Sequence, residues 1–156
     1  MGTTIRPAAE GDIDALLALY GSLYDTLRGF GLPFELSPHE LRQILAVMVK
    51  SKLCRLLIAE ENGETLGFIS AAVTRMDRKL RFEGGNLIGT VNDICVSPAC
   101  RGTGLAARLL SEAEDWFRAS GAAVAECDIL CGNLPAQGFW RKQGYTELAL
   151  VSYKVL

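Results

Sequence analysis

The spacing of apolar residues predicts two helices near the start of the chain. The first follows Asp12, a typical N-cap residue, and closes at Gly29. The second begins at Ser37–Glu40, a capping box with proline at the first helical position, and runs to about Val49. The apolar positions of the first helix fall on one face and are Ile13, Leu16, Leu17, Tyr20, Leu23, Tyr24 and Leu27.

Segments of strand character separate and follow these helices. Strands are predicted over residues 3–6, 55–60, 65–74, 86–96 and 122–130, with a hairpin turn at Asn62-Gly63 between the second and third. Further helices are predicted over residues 103–119 and 134–143, and residues 145–156 are predicted to form a final strand or hairpin. The predicted order is β-α-α-β-β-β-α-β-α-β, which indicates an α/β (α+β) fold with a mixed sheet.

A turn with two glycines joins the strand ending at Val96 to the helix after Leu105. Its residues are Arg101, Gly102, Thr103 and Gly104. The first N–H groups of a helix have no intrahelical partner, and glycines let a ligand approach the backbone closely. A turn of this kind is therefore a candidate site for a phosphate or pyrophosphate. A plain strand-to-helix turn without a ligand is the simplest alternative.

Composition limits the classes of function. The length of 156 residues, 49% of them apolar, indicates a single globular domain over residues 1–156. The net charge of −2 argues against nucleic-acid binding. No apolar run is long enough to span a bilayer, and the first residues lack a signal-peptide core, so we expect a cytoplasmic protein without a membrane partner. No C-x-x-C pair occurs, and we expect no metal site. The five cysteines are Cys54, Cys95, Cys100, Cys127 and Cys131.

Two sequence signatures resemble those of the GNAT superfamily of N-acetyltransferases. Arg101-x-x-Gly104-x-Ala106, after a strand ending in Val-Ser-Pro, resembles the acyl-CoA signature of that family. A second stretch, at residues 133–145, resembles the family's Asn-x-x-Ala-x-x-Leu-Tyr-x-x-x-Gly-Phe. Its matching residues here are Asn133, Ala136, Phe139, Trp140, Gly144 and Tyr145. The predicted element order is also that of the family, so the resemblance covers nearly the whole chain.

The resemblance implies transfer of an acetyl group from acetyl-CoA to a primary amine by direct attack on the thioester. It also implies a sheet whose strands splay apart at the acyl-CoA site. The backbone N–H of Val96 is then the candidate donor to the acetyl carbonyl. The residues implied to bind the cosubstrate are Ile94, Cys95, Val96, Arg101, Gly102, Thr103, Gly104, Leu105, Ala106, Asn133 and Trp140.

Two positions decide how the proton transfers could work. Asp93 matches an acidic position often found in this strand of the family, and it is a candidate base, acting directly or through a water. An aspartate that only satisfies local backbone groups is the equal alternative. Trp140 departs from the family, because it stands where a tyrosine often protonates the leaving thiolate and an indole N–H is no proton source. Tyr145, Tyr153, Cys131 or water could substitute.

Two other functions remain open on the sequence. The loss of the usual tyrosine suggests a non-catalytic acyl-CoA-binding or sensor module of the same fold. Residues 102–107 also fit the dinucleotide fingerprint G-x-G-x-x-A, with Glu126 as the later acidic residue, although too little chain follows for a dinucleotide fold. The acceptor, a small molecule or a protein amine, is not specified, and homodimers are common in the family.

Overall fold

The computed structural model describes residues 2–156, and within them five strands and four α-helices form in the predicted order as far as the last helix. Short 3₁₀ turns precede the first and third helices, at Glu10–Asp12 and Pro98–Cys100. The strands are β1 Thr4–Pro7, β2 Cys54–Glu61, β3 Glu64–Arg75, β4 Leu87–Val96 and β5 Val124–Cys127. The helices are α1 Ile13–Gly29, α2 Pro38–Met48, α3 Leu105–Ala119 and α4 Leu134–Lys142.

The five strands form one mixed sheet in the spatial order β1-β2-β3-β4-β5. The first four are antiparallel neighbours, and β5 is parallel to β4. The parallel pair follows from the crossover through α3, since parallel neighbours need a long connection. A dinucleotide fold needs a largely parallel sheet, so this topology argues against the dinucleotide reading of residues 102–107.

Helices cover the two faces of the sheet with two separate groups of apolar side chains. On one face, α1 and α2 pack through Leu16, Tyr20 and Leu45 against strand residues that include Ile58 and Phe68. On the other face, α3 packs against β3 and β4, and Trp140 of α4 joins the same group. Gly89 of β4 lies under the ring of Phe117, where a side chain would collide with the ring. Each face therefore has its own core, with the sheet between them.

A β-bulge in β4 determines which face its polar residues reach. Val91 lies opposite Ala71 and Asp93 lies opposite Ser70, so Asn92 is an extra residue in the ladder. Without this insertion Asp93 would share a face with Val91, because side chains two apart in a strand point the same way. The bulge instead places Asp93 on the α1 side of the sheet.

The predicted final strand over residues 145–156 is wrong. These residues form no regular secondary structure, and the side chains of Leu148, Leu150 and Val155 are 91%, 87% and 84% exposed. The apolar alternation is suitable for a strand, but a strand needs a neighbour to satisfy its backbone groups. The strand predicted over residues 122–130 is also shorter, at Val124–Cys127. Assignment of residues 1–156 to one domain stays a prediction.

None of the helices within residues 2–156 is both long enough and apolar enough to cross a membrane.

Candidate active site

The sheet parts between β4 and β5 partway along β4. The parallel ladder begins at Ile88 and Val124 and ends at Val91 and Cys127. Beyond that point β4 continues to Val96 and remains paired with β3 alone. We call the gap between residues 92–96 and residues 128–130 the β4–β5 opening. The splayed strands expected from the sequence are therefore present.

The ladder between β3 and β4 shows which backbone groups face the opening. The N–H of Ser97 donates to the carbonyl of Leu66 at 2.7 Å, so it points toward β3. Successive residues of a strand direct their backbone groups to opposite edges. The N–H and C=O groups of Val96 and Ile94 therefore point into the β4–β5 opening, where the ladder supplies no partner.

A cleft lies alongside the end of β4. Its walls are α1 and the backbone and side chains of residues 94–96, and Arg101 lies at its margin. The α1 side contributes two hydroxyl side chains and one apolar side chain. The lining residues are Ser22, Leu23, Thr26, Ile94, Cys95, Val96 and Arg101. The cleft therefore places the unpaired strand amides beside a cation and close to the glycine turn.

The glycine turn is open to solvent. Arg101, Gly102, Thr103 and Gly104 are exposed, whereas Leu105 is buried and fixes the start of α3 in the core. Gly102 and Gly104 have φ angles of +75° and +84°, in the left-handed region that favours glycine, and a Cβ on either would meet nothing within 4 Å. The space next to this turn can therefore admit a ligand to the backbone.

The start of α3 presents backbone donors at this turn. The first intrahelical bond runs from the N–H of Arg108 to the carbonyl of Gly104, at 3.1 Å. The N–H groups of Leu105, Ala106 and Ala107 therefore lack an acceptor inside the helix. No side chain caps them at the N-cap position, which is Gly104, and the Thr103 hydroxyl is directed to the carbonyl of Cys100, to which it donates at 2.6 Å. Together with the helix dipole and the Arg101 guanidinium, these groups form an anion-binding arrangement.

Asp93 lies near the closed end of the β4–β5 opening and faces α1. Its carboxylate accepts a hydrogen bond from the hydroxyl of Tyr20 at 3.2 Å and from the hydroxyl of Tyr24 at 3.4 Å. Tyr20 is 2% exposed and stacks on Phe68 with ring centroids 4.4 Å apart. The two tyrosines, one helical turn apart, thus hold the carboxylate from the α1 side.

The surroundings of Asp93 shift its proton affinity in two directions. Burial raises the pKa of Asp93 above its ordinary value, because the charged form loses solvation, while the two tyrosine hydrogen bonds oppose the shift. Burial and the neighbouring carboxylate raise the pKa of Tyr20 and of Tyr24. Both phenols therefore stay protonated and donate. A carboxylate with a raised pKa is a better proton acceptor than an exposed aspartate.

The second signature has a structural role in the fold. The Asn133 side chain caps α4 by accepting a hydrogen bond from the N–H of Ala136 at 3.1 Å. Trp140 is 5% exposed and packs edge-on against Phe139 and Tyr145 within the α3-side core. Neither residue lines the cleft beside β4. Their predicted contact with the cosubstrate stays a prediction.

The candidate replacements for the missing acid lie in different surroundings. The hydroxyl of Tyr145 donates to Glu114 of α3 at 3.0 Å, and burial together with this bond raises the pKa of Tyr145. Cys131 is exposed in the turn before α4, and Tyr153 is 66% exposed. The structure places none of the three in the cleft lining.

The sequence predicts Tyr20 and Tyr24 as members of an apolar helix face that pack in the core, with substrate contact as the alternative, and their hydroxyl contacts with Asp93 were missed. The available signal was the pair of tyrosines four residues apart on one helix, together with a single acidic residue in an apolar strand. Ser22 and Thr26, which line the cleft, gave no comparable signal.

Comparison with known proteins identifies the family. The model of the acetyltransferase (GNAT) family matches residues 20–145. The aminoalkylphosphonate N-acetyltransferase of Salmonella typhimurium is 27% identical over 143 residues, which cover 92% of this chain and 84% of that protein. An uncharacterised N-acetyltransferase of Methanocaldococcus jannaschii is 24% identical over 148 residues, covering 95% of this chain but only 62% of the relative.

A solved structure shows the same fold. An aminoglycoside N-acetyltransferase in complex with CoA superimposes with a TM-score of 0.79 at 19% identity, covering 99% of this chain and 95% of that one. With the family match over most of the chain, these comparisons show that the protein belongs to the GNAT acetyltransferase family.

Proposed function

We propose that this protein transfers an acetyl group from acetyl-CoA to a primary amine by direct attack of the amine on the thioester. The observation that carries the proposal is the β4–β5 opening, where the unpaired backbone groups of Ile94 and Val96 lie in the same cleft as Arg101 of the glycine turn. Asp93, held by Tyr20 and Tyr24, comes directly before these residues in β4 and lies outside the lining of that cleft.

The residues around the opening fit acetyl-CoA, which supplies an acetyl group activated as a thioester. The amides of Gly102, Gly104, Leu105 and Ala106 and the Arg101 guanidinium would hold the pyrophosphate, since both kinds of group are donors suited to phosphate oxygens. The backbone groups of Ile94 and Val96 would hydrogen-bond the pantetheine arm. Of these, the Val96 N–H is the proposed donor to the acetyl carbonyl oxygen, where negative charge develops.

Asp93 is the proposed general base. An amine is largely protonated at neutral pH and must lose a proton before it can attack. A carboxylate held by Tyr20 and Tyr24 inside the fold, with a raised pKa, can accept that proton directly or through a water. The same negative charge would attract an ammonium group to the end of the opening.

Departure of the thiol does not need a strong acid from the protein. A free thiol has a pKa of about 8.5 by analogy with cysteine, so its thiolate is a moderate leaving group near neutral pH. Trp140, buried in the core, supplies no proton. We therefore propose that solvent protonates the departing thiolate.

A small amine is the proposed acceptor. The Salmonella relative is named for aminoalkylphosphonates, and the solved relative for aminoglycosides, both of which carry amines on small molecules. We expect the protein to act in the cytoplasm.

Release of free CoA with a panel of acceptors tests the proposal. The panel contains an aminoalkylphosphonate, an aminoglycoside, a polyamine and a peptide with a free N-terminus and a lysine. Amine-dependent CoA release, with a product heavier by one acetyl group in the mass spectrum, supports transfer. CoA binding in calorimetry without turnover on any amine supports the second candidate, an acyl-CoA sensor, which the replacement of the usual tyrosine by Trp140 favours. Absence of CoA binding contradicts both.

A further inference from the structure

One polar side chain lies inside the apolar core of the sheet. Ser70 of β3 is 1% exposed, and within residues 2–156 it is the one fully buried side chain that is neither apolar nor aromatic. Burying a hydroxyl costs free energy unless a hydrogen bond replaces its contact with water. Alanine would fill almost the same space without that cost. The serine therefore indicates a role for its hydroxyl.

The strand ladder places Ser70 next to the carboxylate of the site. Ser70 lies opposite Asp93 in the β3–β4 pair, and the register shift at Asn92 adjoins this pair of residues. Residues directly opposite each other in an antiparallel pair share a face, with Cβ atoms about 4.5–5.5 Å apart. Phe68, two residues before Ser70, lies on the same face, and Tyr20 of α1 stacks on its ring. Ser70, Asp93 and Tyr20 thus meet on the α1 side of the sheet.

The contact between Ser70 and Tyr20 has a defined direction. Burial is the main cause that raises the pKa of Tyr20, the charge of Asp93 adds to the rise, and a hydrogen bond with the Ser70 side chain opposes it. A neighbour lowers the pKa of a phenol when it donates to the phenol oxygen, because it favours the phenolate. The single hydrogen of the Tyr20 hydroxyl is directed to Asp93, at 3.2 Å. Ser70 is therefore the donor to Tyr20, and Tyr20 is the donor to Asp93.

We propose that Ser70 is a positioning residue, whose hydroxyl donates to Tyr20 and thereby fixes Tyr20 as a donor to the Asp93 carboxylate. Hydrogen bonds in a chain polarise one another, so the first bond strengthens the second. Tyr24 donates to the other carboxylate oxygen without such a bond behind it, since burial and Asp93 are the causes that raise its pKa. Ser70 thus makes Tyr20 the stronger of the two contacts that hold Asp93.

The titratable groups that face Asp93 come from α1 and from its own strand. They are the two tyrosines and Cys95, and burial raises the pKa of all three groups, so they are uncharged near neutral pH. β3 contributes the neutral hydroxyl of Ser70. Hydrogen bonds, rather than a cation, therefore oppose the effect of burial on the carboxylate. The catalytic meaning of this chain of bonds rests on the proposed function, in which Asp93 is the base.

Carbon-13 NMR of the Asp93 carboxyl, recorded against pH without substrate, tests the proposal. In Ser70→Ala the bond from Tyr20 to the carboxylate is weakened, so we expect the pKa of Asp93 to rise and its titration to move to higher pH. Thr90→Val is the matched control, since it removes a hydroxyl of β4 that donates to Glu126 at 3.4 Å. Asp93 should titrate in this control as in the parent protein. The midpoint of thermal unfolding should stay close to the parent value in Ser70→Ala.

A merely structural serine would give the opposite pattern. If the hydroxyl only satisfies backbone groups at the bulge, Ser70→Ala lowers the midpoint of unfolding and leaves the titration of Asp93 unchanged. That result overturns the proposal. An equal displacement of the titration in Thr90→Val also overturns it, because it would show a general effect of removing a hydroxyl from the sheet.

Two double variants test whether Tyr20 transmits the effect. In the Tyr20→Phe background, Ser70→Ala should not move the titration of Asp93 any further. In the Tyr24→Phe background, Ser70→Ala should move it as far as it does in the parent protein. A displacement that persists without the Tyr20 hydroxyl would show that Ser70 acts on Asp93 directly, and it would contradict the chain of bonds.

The pH dependence of kcat/KM separates this proposal from the proposed function. If both hold, the acid limb of kcat/KM moves to higher pH in Ser70→Ala together with the titration of Asp93. Activity on the high-pH plateau then changes by less than about tenfold, because the base itself remains. A displaced NMR titration with an unmoved acid limb would support the role of Ser70 and contradict Asp93 as the base.

Discussion

The two edges of β4 behave differently beyond Val91, and the difference explains how one strand can serve both structure and binding. Toward β3, the ladder continues to Val96 and Gly67, so that edge is part of the scaffold. Toward β5, the ladder stops at Cys127, so the remaining N–H and C=O groups have no strand partner. A backbone held rigidly on one side and left unpaired on the other is pre-organised for a ligand, because little further ordering is needed on binding.

The bulge at Asn92 lies directly after Val91, the last residue of β4 that pairs with β5. It directs the side chain of Asp93 toward Tyr20 and Tyr24 on the α1 side of the sheet. Amide donors and a carboxylate therefore come from neighbouring residues of one strand, but the amides point to the β4–β5 edge of the sheet and the carboxylate points to the α1 face. This contrast leads to four predictions about catalysis and binding.

The largest effect is expected at Asp93. We expect Asp93→Asn to lower kcat by about 10²- to 10⁴-fold, since it removes the proton acceptor and keeps the shape of the side chain. The affinity for CoA should change little, because Asp93 lies away from the turn that would hold the phosphates. Stopped-flow or steady-state measurement of CoA release and calorimetry of CoA binding give the two values.

Glu126→Gln is the matched control for this carboxylate. Glu126 lies in β5, is exposed, and accepts a hydrogen bond from Thr90 at 3.4 Å. The control should keep the parent kcat. Equal rates for Asp93→Asn and the parent protein would remove Asp93 from the mechanism.

The next effect concerns the N–H of Val96. Val96→Pro removes a donor that faces the opening but takes no part in the ladder, and proline is tolerated at such an edge. We expect kcat to fall by about 10²- to 10³-fold, as for the loss of one oxyanion donor. Activity and the midpoint of thermal unfolding are to be measured on the same preparations.

Cys95→Pro tests the other edge of the same strand. Its N–H lies in the hydrogen-bonded pair with Phe68, so proline there removes a ladder bond. We expect Cys95→Pro to lower the free energy of unfolding more than Val96→Pro does. The assignment of the two edges is wrong if Val96→Pro is the less stable variant and its folded fraction is fully active.

A third prediction concerns the glycine turn. Gly104→Glu places a negative side chain where the phosphates are proposed to bind, and like charges cost several kcal/mol at close range. A loss of about 100-fold in CoA affinity follows, since each tenfold change corresponds to about 1.4 kcal/mol. Calorimetry with CoA measures this loss directly.

Gly63→Glu separates charge from backbone strain. Gly63 has a φ of +80°, against +84° for Gly104, and a Cβ at either would meet no neighbour within 4 Å. Both variants therefore carry a similar strain, about 1–2 kcal/mol for a left-handed residue. Gly63 lies in the β2–β3 turn, so the Gly63→Glu variant should bind CoA with the affinity of the parent protein. A comparable loss in both variants would show that strain, rather than the phosphate site, causes the effect.

The extent to which the sequence predicts this molecule depends on how local each feature is. The turn at residues 101–104 could be predicted, because left-handed glycines and a helix start depend on neighbours in sequence. The face of Asp93 could not, because the bulge is defined by the register of β4 against β3. The partnership of Asp93 with two tyrosines follows from that face, and it was missed for the same reason.

Residues 145–156 show the reverse case. Their alternating pattern favours a strand, but a strand also needs a neighbouring edge, and these residues form no regular secondary structure in the fold. Trp140 is a further example. Its place in the signature is local information, whereas its position in the α3-side core depends on how α4 packs.

The smallest effect is expected from Tyr24→Phe, and it tests how the α1 side tunes the carboxylate. The Tyr24 hydroxyl donates to Asp93 and thereby lowers the pKa of that carboxyl, against the rise caused by burial. Removing the hydroxyl should therefore raise the pKa of Asp93, and the acid limb of kcat/KM should move to higher pH. Activity on the high-pH plateau should change by less than about tenfold, because the base itself remains. In the Asp93→Asn background, Tyr24→Phe should leave the pH dependence of kcat/KM unchanged. Two results would contradict this role of Tyr24. One is an acid limb of kcat/KM that does not move in Tyr24→Phe, and the other is a shift that also occurs in the Asp93→Asn background.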